Sequence, residues 1–454
     1  MWGVCRGIQF SHSRNAWREG WLVQFARGLT TTFVREAKVL SFGDGSHGAL
    51  GHTDCFGGDA YEPEEIDGLP EDIVSLGAGH YHSMAVSQTG ELWAWGRNSE
   101  GQLGERVDSN SREKWHLPQR VRGLESIEVV AARGSGVVSM AIARDGSLWA
   151  WGKSKRGQLG LGTNIIHAQT PQRVEALSGQ HVVQVALGWG HALALTAEGH
   201  VYSWGYAANG RLGFQPNCSE PQVSSLSKDR DSGESIEDAA YRQVLEDMEK
   251  EKSPVLAWEP VRVDAFKSHH VTEISCGMDH SLTLNEQGEL WSFGDNSLGQ
   301  LGRSVAISTQ QSSINTFTDE NSVGRVEGPF TRERVLHLGA GLGHSLAANA
   351  QGSVYSWGWN AGHQLGRDGR RDNPVPASVG DLEGQEVVAL AGGRAHSLAM
   401  TSKGGLWVWG SGKNGRLGLG SPADEPTPFP LECLESYSIA DAACGFDHTL
   451  VLLP

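Results

Sequence analysis

Short runs of apolar residues alternate with turn residues along most of this chain, and the same run-and-turn phrase returns seven times. In one copy, Ser83-Met84-Ala85-Val86 and Glu91-Leu92-Trp93-Ala94-Trp95 flank Gln88-Thr89-Gly90, which predicts two strands joined by a hairpin whose glycine supplies the positive φ. Asp145-Gly146, Glu198-Gly199, Gln287-Gly288 and Gln351-Gly352 repeat that turn. Each copy ends on an aromatic-Gly pair: Phe42-Gly43, Trp95-Gly96, Trp151-Gly152, Trp204-Gly205, Phe293-Gly294, Trp357-Gly358 and Trp409-Gly410. A Leu-Gly step follows each pair, from Leu50-Gly51 to Leu417-Gly418.

The other half of the phrase is a Gly-x-x-His strand start, carried by His82, His191, His280, His344, His396 and His448. Val138 stands where the second unit should have its histidine, so the imidazole is not obligatory for the fold. The spacing is 52 residues from His344 to His396, 52 from His396 to His448, and 56 from His82 to Val138. Periods near fifty with four short strands per unit predict propeller blades. Trp95, Trp151, Trp204, Trp357 and Trp409 are expected to fill the gaps between blades, because a large ring at a repeating position buries much apolar area. The six histidines are expected to be structural, hydrogen-bonding backbone at their strand starts, with a metal-binding ring as the alternative.

The two ends of the chain complete each other. Val39 to Gly51 is an aromatic-Gly half with no histidine half before it, and Cys444-Gly445-Phe446-Asp447-His448-Thr449-Leu450 is a histidine half with nothing after it. The expected fold is therefore all-β: a seven-bladed β-propeller over residues 37–454, closed by N- and C-terminal strands sharing one blade.

Cys276-Gly277-Met278-Asp279-His280-Ser281-Leu282, Gly393-Arg394-Ala395-His396-Ser397-Leu398 and the Trp-Gly…Gly-Gln-Leu-Gly runs resemble the repeats of the regulator of chromosome condensation family, from Lys38 to Leu453. The resemblance implies the propeller. It implies less about function, because members of that family include nuclear guanine-nucleotide exchange factors, plant ultraviolet receptors and organellar proteins of RNA processing or ribosome assembly. The ultraviolet receptors carry Gly-Trp-Arg-His in successive blades; here Gly188-Trp189-Gly190-His191 alone keeps the tryptophan, with Tyr81, Met278, Leu342 and Arg394 read at or next to that offset elsewhere, which disfavours light sensing.

Charge changes the picture at the N-terminus. The first 35 residues hold Arg6, Arg14, Arg18, Arg27 and Arg35 against Glu19, with Trp17, Trp21, Leu22 and Phe25 on one helical face. That predicts a mitochondrial targeting presequence over 1–36, with a basic arm as the alternative and cytoplasm or nucleus as the other destinations. Removing the net +4 of residues 1–35 from the formal −16 leaves −20 on the rest, which disfavours tight direct DNA binding. Arg367, Arg370 and Arg371 form a local basic cluster that could touch RNA or be a solvated loop. The six cysteines show no Cys-x-x-Cys spacing, implying reduced thiols, and no apolar run reaches the roughly 18 residues of a membrane helix.

Two insertions interrupt the repeat. Gly213 to His280 takes 67 residues and Gly302 to His344 takes 42, against 31 for Gly160 to His191. Both arise at the same point of consecutive units, so an acidic insertion at 217–254 and a polar one at 303–325 are expected on one face of adjoining blades, the pattern of a binding face. Within the first, Ser235 to Met248 has an N-cap signal and helical spacing, nominating Glu237, Asp238, Tyr241, Leu245, Met248 and Glu249 as partner-contacting residues, with a solvated loop as the alternative.

No nucleophile elbow, phosphate loop or metal cluster apart from the repeated histidines is present, so neither a cofactor nor catalysis of a chemical reaction is expected. Two functional classes follow: a non-catalytic protein-interaction platform supporting mitochondrial RNA processing or ribosome assembly, or a guanine-nucleotide exchange factor for a small GTPase.

Overall fold

In a computed structural model, the described residues are 37–53, 57–105, 115–216, 255–303, 322–382 and 384–454. They form seven four-stranded antiparallel sheets. Blade 1 consists of Ile73–Ala78, His82–Ser87, Leu92–Gly96 and Gln119–Arg120. Blades 2 to 6 repeat that order, with first strands Val129–Gly134, Val182–Leu187, Val271–Cys276, Val335–Ala340 and Val387–Gly392. Blade 7 takes Asp441–Cys444 and His448–Leu453 from the C-terminus and Lys38–Gly43 and Ala60–Glu65 from the N-terminus. Its closing register runs from Lys38 opposite Leu453 to Gly43 opposite His448. The first strands contact one another in a closed circle around the axis.

The second strand of each blade explains the apolar runs. His82–Ser87 and His344–Asn349 are buried at all six positions, because a central strand is covered by sheets on both faces and has no wet side to encode. Core clusters accordingly straddle blades. One joins Leu346, Ala348 and Val354 of blade 5 to Val387, Ala399 and Trp409 of blade 6. Another joins Val39, Leu450 and Leu452 of blade 7 to Ile73, Leu76, Ala85 and Trp95 of blade 1.

Aromatic-Gly pairs end the third strands because the backbone must turn at positive φ against the preceding strand. Gly96 has φ +105°, and a Cβ there would lie 2.6 Å from the Tyr81 carbonyl oxygen. A side chain is excluded twice, by conformation and by space. The third-to-fourth-strand connections leave from that end, so they share one face with the Gly-x-x-His turns. The connections interrupted by residues 217–254 and 304–321 belong to blades 3 and 4 and depart from this face. Arg303 and Ser322 to Arg325 belong to blade 4 itself: Arg303 donates to the Ser292 and Ser322 carbonyls, and Gly324–Arg325 pairs with Trp291 and Ser292.

Among the described residues, no helix is long and apolar enough to cross a membrane. Cys276, Cys433 and Cys444 are free thiols; burial pushes Cys276 up to about 12, which keeps it protonated and inert.

Candidate functional site: the loop face and its axial centre

The histidines are placed by an inter-blade relay. His82 Nε2 lies 2.7 Å from Ser139 Oγ in the next blade, and that hydroxyl donates to the Gln102 carbonyl at 2.7 Å. A carbonyl only accepts, so the serine proton is committed there and the imidazole must donate through Nε2–H. The same relay joins His191 to Ser281, His280 to Ser345, His344 to Ser397, His396 to Thr449 and His448 to Ser83. The partner is a neighbouring side chain, where the sequence suggested backbone of the histidine's own strand. Burial holds these imidazoles neutral, with His82 and His344 down to about 3 and His280 and His448 to about 4.

The tryptophans finish the same carbonyls. Trp151 Nε1 donates to Gln102 O, and Trp95, Trp204, Trp357 and Trp409 donate to Ala49, Gln158, Gln300 and Gln364, all within 2.8–2.9 Å. All five indoles are fully buried. The motif glycine is needed because the imidazole lies over it: a Cβ at Gly341 would sit 2.1 Å from His344 Cε1, and one at Gly79 would sit 2.2 Å from His82 Cε1.

One link is absent, and both of its ends have changed. Val138 replaces the histidine in blade 2, and Ala192 replaces the hydroxyl that would receive it in blade 3. Both are fully buried in one apolar cluster. With no imidazole to cover, the motif glycine has also become Ser135. Gln158 bridges this seam instead, donating to the Gly188 and His191 carbonyls at 2.8 and 3.1 Å.

Towards the axis, the turns before the histidines are stitched by backbone. His80 N donates to Ser135 O, Trp189 N to Met278 O, Met278 N to Leu342 O, Leu342 N to Gly393 O, and Arg394 N to Phe446 O. That belt gathers His80, Trp189, Met278, Leu342, Arg394 and Phe446, all partly exposed, at the centre of the face. His80 stacks on Trp189 with centroids 4.8 Å apart and meets Phe446 also at 4.8 Å, joining turns of blades 1, 3 and 7. Gly136 makes room, since a Cβ there would lie 3.0 Å from His80 Nδ1. The blade-1 member of this axial ring is therefore His80 rather than Tyr81, and blade 7 supplies Phe446.

Arginines brace the ring, Arg211 and Arg416 from buried positions. Asp447, just before His448, receives Arg394 at 2.8 and 3.0 Å and Arg416 at 2.7 Å; Asp279, just before His280, receives Arg211. Arg211 and Arg416 occupy the position held by glutamine in Gly-Gln-Leu-Gly elsewhere, so an arginine there is matched by an aspartate one blade on. Arg156 and Arg211 also lie over the Tyr206 ring at 5.1 and 4.9 Å.

The basic cluster is dispersed. Arg367 is spent on Ser356 and the Ala377 carbonyl, Arg370 pairs with Asp424 at 2.8 Å, and Arg371 is exposed. No group of three metal-ligating side chains occurs among the described residues. Glu237, Asp238, Tyr241, Leu245, Met248 and Glu249 lie outside the described residues, as does the basic segment 1–36. The axial ring went unread in sequence because its members share a position but no chemistry; its signal is the residue directly after each motif glycine.

Repeated blades and a closing seam define a seven-bladed β-propeller whose long third-to-fourth-strand connections share one face. Residues 38–451 match the RCC1-like domain, and the chain belongs to that family. It is 28% identical to the ultraviolet-B receptor UVR8 of Arabidopsis thaliana over 90% of this chain and 79% of that one. It is 27% identical to the mitochondrial RCC1 domain-containing protein RUG3 of the same plant, covering 87% of this chain and 79% of that one. Among solved structures, Prp20p of Saccharomyces cerevisiae superposes with TM-score 0.72 at 23% identity, covering 93% of this chain and 92% of that one.

Proposed function

We propose that this chain is a non-catalytic protein-interaction platform whose binding surface is the loop face, acting in mitochondria in support of RNA processing or ribosome assembly. The observation that carries the reading is the concentration of interface chemistry on that face. Trp189, Phe446, Met278 and Arg394 sit together at the axis, and the interrupted connections of blades 3 and 4 depart from the same side. Aromatic, methionine and arginine side chains are the residue types that dominate the centres of protein interfaces. The mitochondrial name of RUG3 supports the location. In this reading Glu237, Asp238, Tyr241, Leu245, Met248 and Glu249 supply further partner contacts, and residues 1–36 supply the targeting signal.

The test is co-purification from native tissue with the intact chain and with a variant lacking Asn217 to Lys252. Loss of organellar RNA-processing or ribosomal proteins from the variant is the expected result, and identical partner sets would remove the insertion from the binding surface. Fluorescent tagging of Met1 to Arg35 tests location, and a diffuse or nuclear signal would refute it. The second reading is guanine-nucleotide exchange on a small GTPase, favoured by the fold shared with Prp20p, whose structure was reported with its binding to Gsp1p and histones. Recovery of a GTPase whose nucleotide release this chain accelerates would select it.

A further inference from the structure

The inner strand of each blade is an edge, and its backbone groups facing the next inner strand need partners. Three seams place a side chain seven residues before the motif histidine against the residue six before it in the next blade. In the seam between blades 3 and 4, the Gln184 amide satisfies both groups of Ile274: Oε1 accepts the N–H at 3.0 Å and Nε2 donates to the carbonyl at 3.0 Å. In the seam between blades 7 and 1, the two tasks are divided. Asp441 Oδ2 accepts the Leu76 N–H at 2.9 Å, and Arg133 donates to the Leu76 carbonyl at 2.9 Å. In the seam between blades 4 and 5, Glu273 Oε1 accepts the Leu338 N–H at 3.1 Å. Glutamate and glutamine have the same shape, so a Glu273 carboxyl lying as the Gln184 amide does sets its second oxygen where that amide has its nitrogen, opposite the Leu338 carbonyl. Two acceptors facing each other repel unless one carries hydrogen.

We propose that Glu273 is a resident neutral carboxylic acid, its second oxygen donating a hydrogen bond to the Leu338 carbonyl, so that a bound proton closes the seam between blades 4 and 5. The surroundings favour that form. The titratable groups on its own strand and the strands packed against it are Cys276, His191, His280 and His337; none of those strands carries Lys or Arg. His191, His280 and His337 are themselves held low, and therefore neutral, chiefly by burial. Burial pushes the Glu273 carboxyl up to about 8, whereas at Asp441 the charge of Arg133 opposes the same desolvation.

The sign follows from linkage. A carboxyl whose folded-state pKa is raised gives its full stabilisation below the unfolded value of about 4.5, and loses it as pH climbs to about 8. The experiment is urea unfolding of the full chain and of E273Q from pH 5 to 9. The folding constant of the natural chain relative to E273Q should fall, by up to tenfold per pH unit, and level off above about 8. Parallel profiles would overturn the proposal, and so would failure of E273Q to fold, since an amide serves both backbone groups. Infrared difference spectra of the natural chain against E273Q at pH 7 provide the independent reading. A protonated-carboxyl carbonyl band lost in E273Q is expected, and its absence would sink the assignment. Gln184→Glu should acquire the same pH dependence at the seam between blades 3 and 4; a flat profile there would break the equivalence of the two sites.

Discussion

The seam between blades 5 and 6 and the seam between blades 2 and 3 solve one packing problem with opposite chemistry. The first buries a polar relay, His344 to Ser397 to the Gln364 carbonyl, joined by Trp409. The second buries Val138 and Ala192 in one apolar cluster, and keeps only the Trp204 bond to Gln158 from the shared scheme. A buried imidazole is tolerable when its hydroxyl partner is present, and the hydroxyl needs its carbonyl. Removing one member strands the rest, so removing histidine and hydroxyl together costs less than the two single removals summed. Blade 2 shows that outcome in nature, with Ser135 as its third part.

The comparison can be broken most severely by opening the ring. Deleting residues 445–454 removes the strand that lies between Lys38–Gly43 and Asp441–Cys444 in blade 7, and with it the His448 and Thr449 links. The expected result in calorimetry is loss of the cooperative melting transition, since both neighbouring seams open at once.

Next in size is the motif glycine. Gly341→Ala forces a Cβ to 2.1 Å from His344 Cε1, and its expected cost is about 3 kcal/mol by chemical unfolding. Ser135→Gly, at the matching place in blade 2, is expected to stay within about 1 kcal/mol, because no imidazole lies there. Equal costs would dismiss the glycine-over-imidazole account.

A double-mutant cycle sharpens the chemistry. His344→Val alone should cost about 2 kcal/mol and Ser397→Ala alone about 1–2 kcal/mol, each leaving a stranded group. The pair, copying Val138 and Ala192, should cost less than the sum by about 1 kcal/mol in denaturant titrations. Simple additivity would mean that the relay is not a unit.

The remaining way to sharpen the comparison is acid sensitivity. The buried imidazoles have folded-state values of about 3 to 4, below the ordinary 6.5. Their stabilisation is therefore complete above 6.5 and is lost as pH falls towards 3 to 4, because unfolding lets them take up protons. Stability measured between pH 6 and 4 should fall steeply, and the His344→Val/Ser397→Ala chain should fall less steeply by one proton. An unchanged slope would show that His344 does not titrate on unfolding.

Much of the fold was legible because it is written locally. Hairpin glycines, aromatic-Gly pairs and the half-motifs at the two ends gave blade number, strand order and the shared closing blade, and the second strands read as small apolar runs because they are covered on both sides. The site was less legible. Val138 announced a departure, but nothing near it pointed to Ala192, 54 residues away. The charge of Arg367 suggested a surface role, yet its guanidinium is consumed within its own blade. The axial ring was misaligned by one residue at Tyr81, since a turn position shows its direction only when folded.

What the sequence by itself determined, then, is everything set by hydrogen bonds and turns within one repeat, since period and conformational preference are properties of a short segment. Which side chains meet across seams was decided only by the tertiary structure, because packing blade on blade brings together residues of successive repeats: His82 with Ser139, Arg416 with Asp447, Glu273 with Leu338. Those pairs stitch each blade to the next and turn a repeated strand pattern into a closed ring whose long connections share one face.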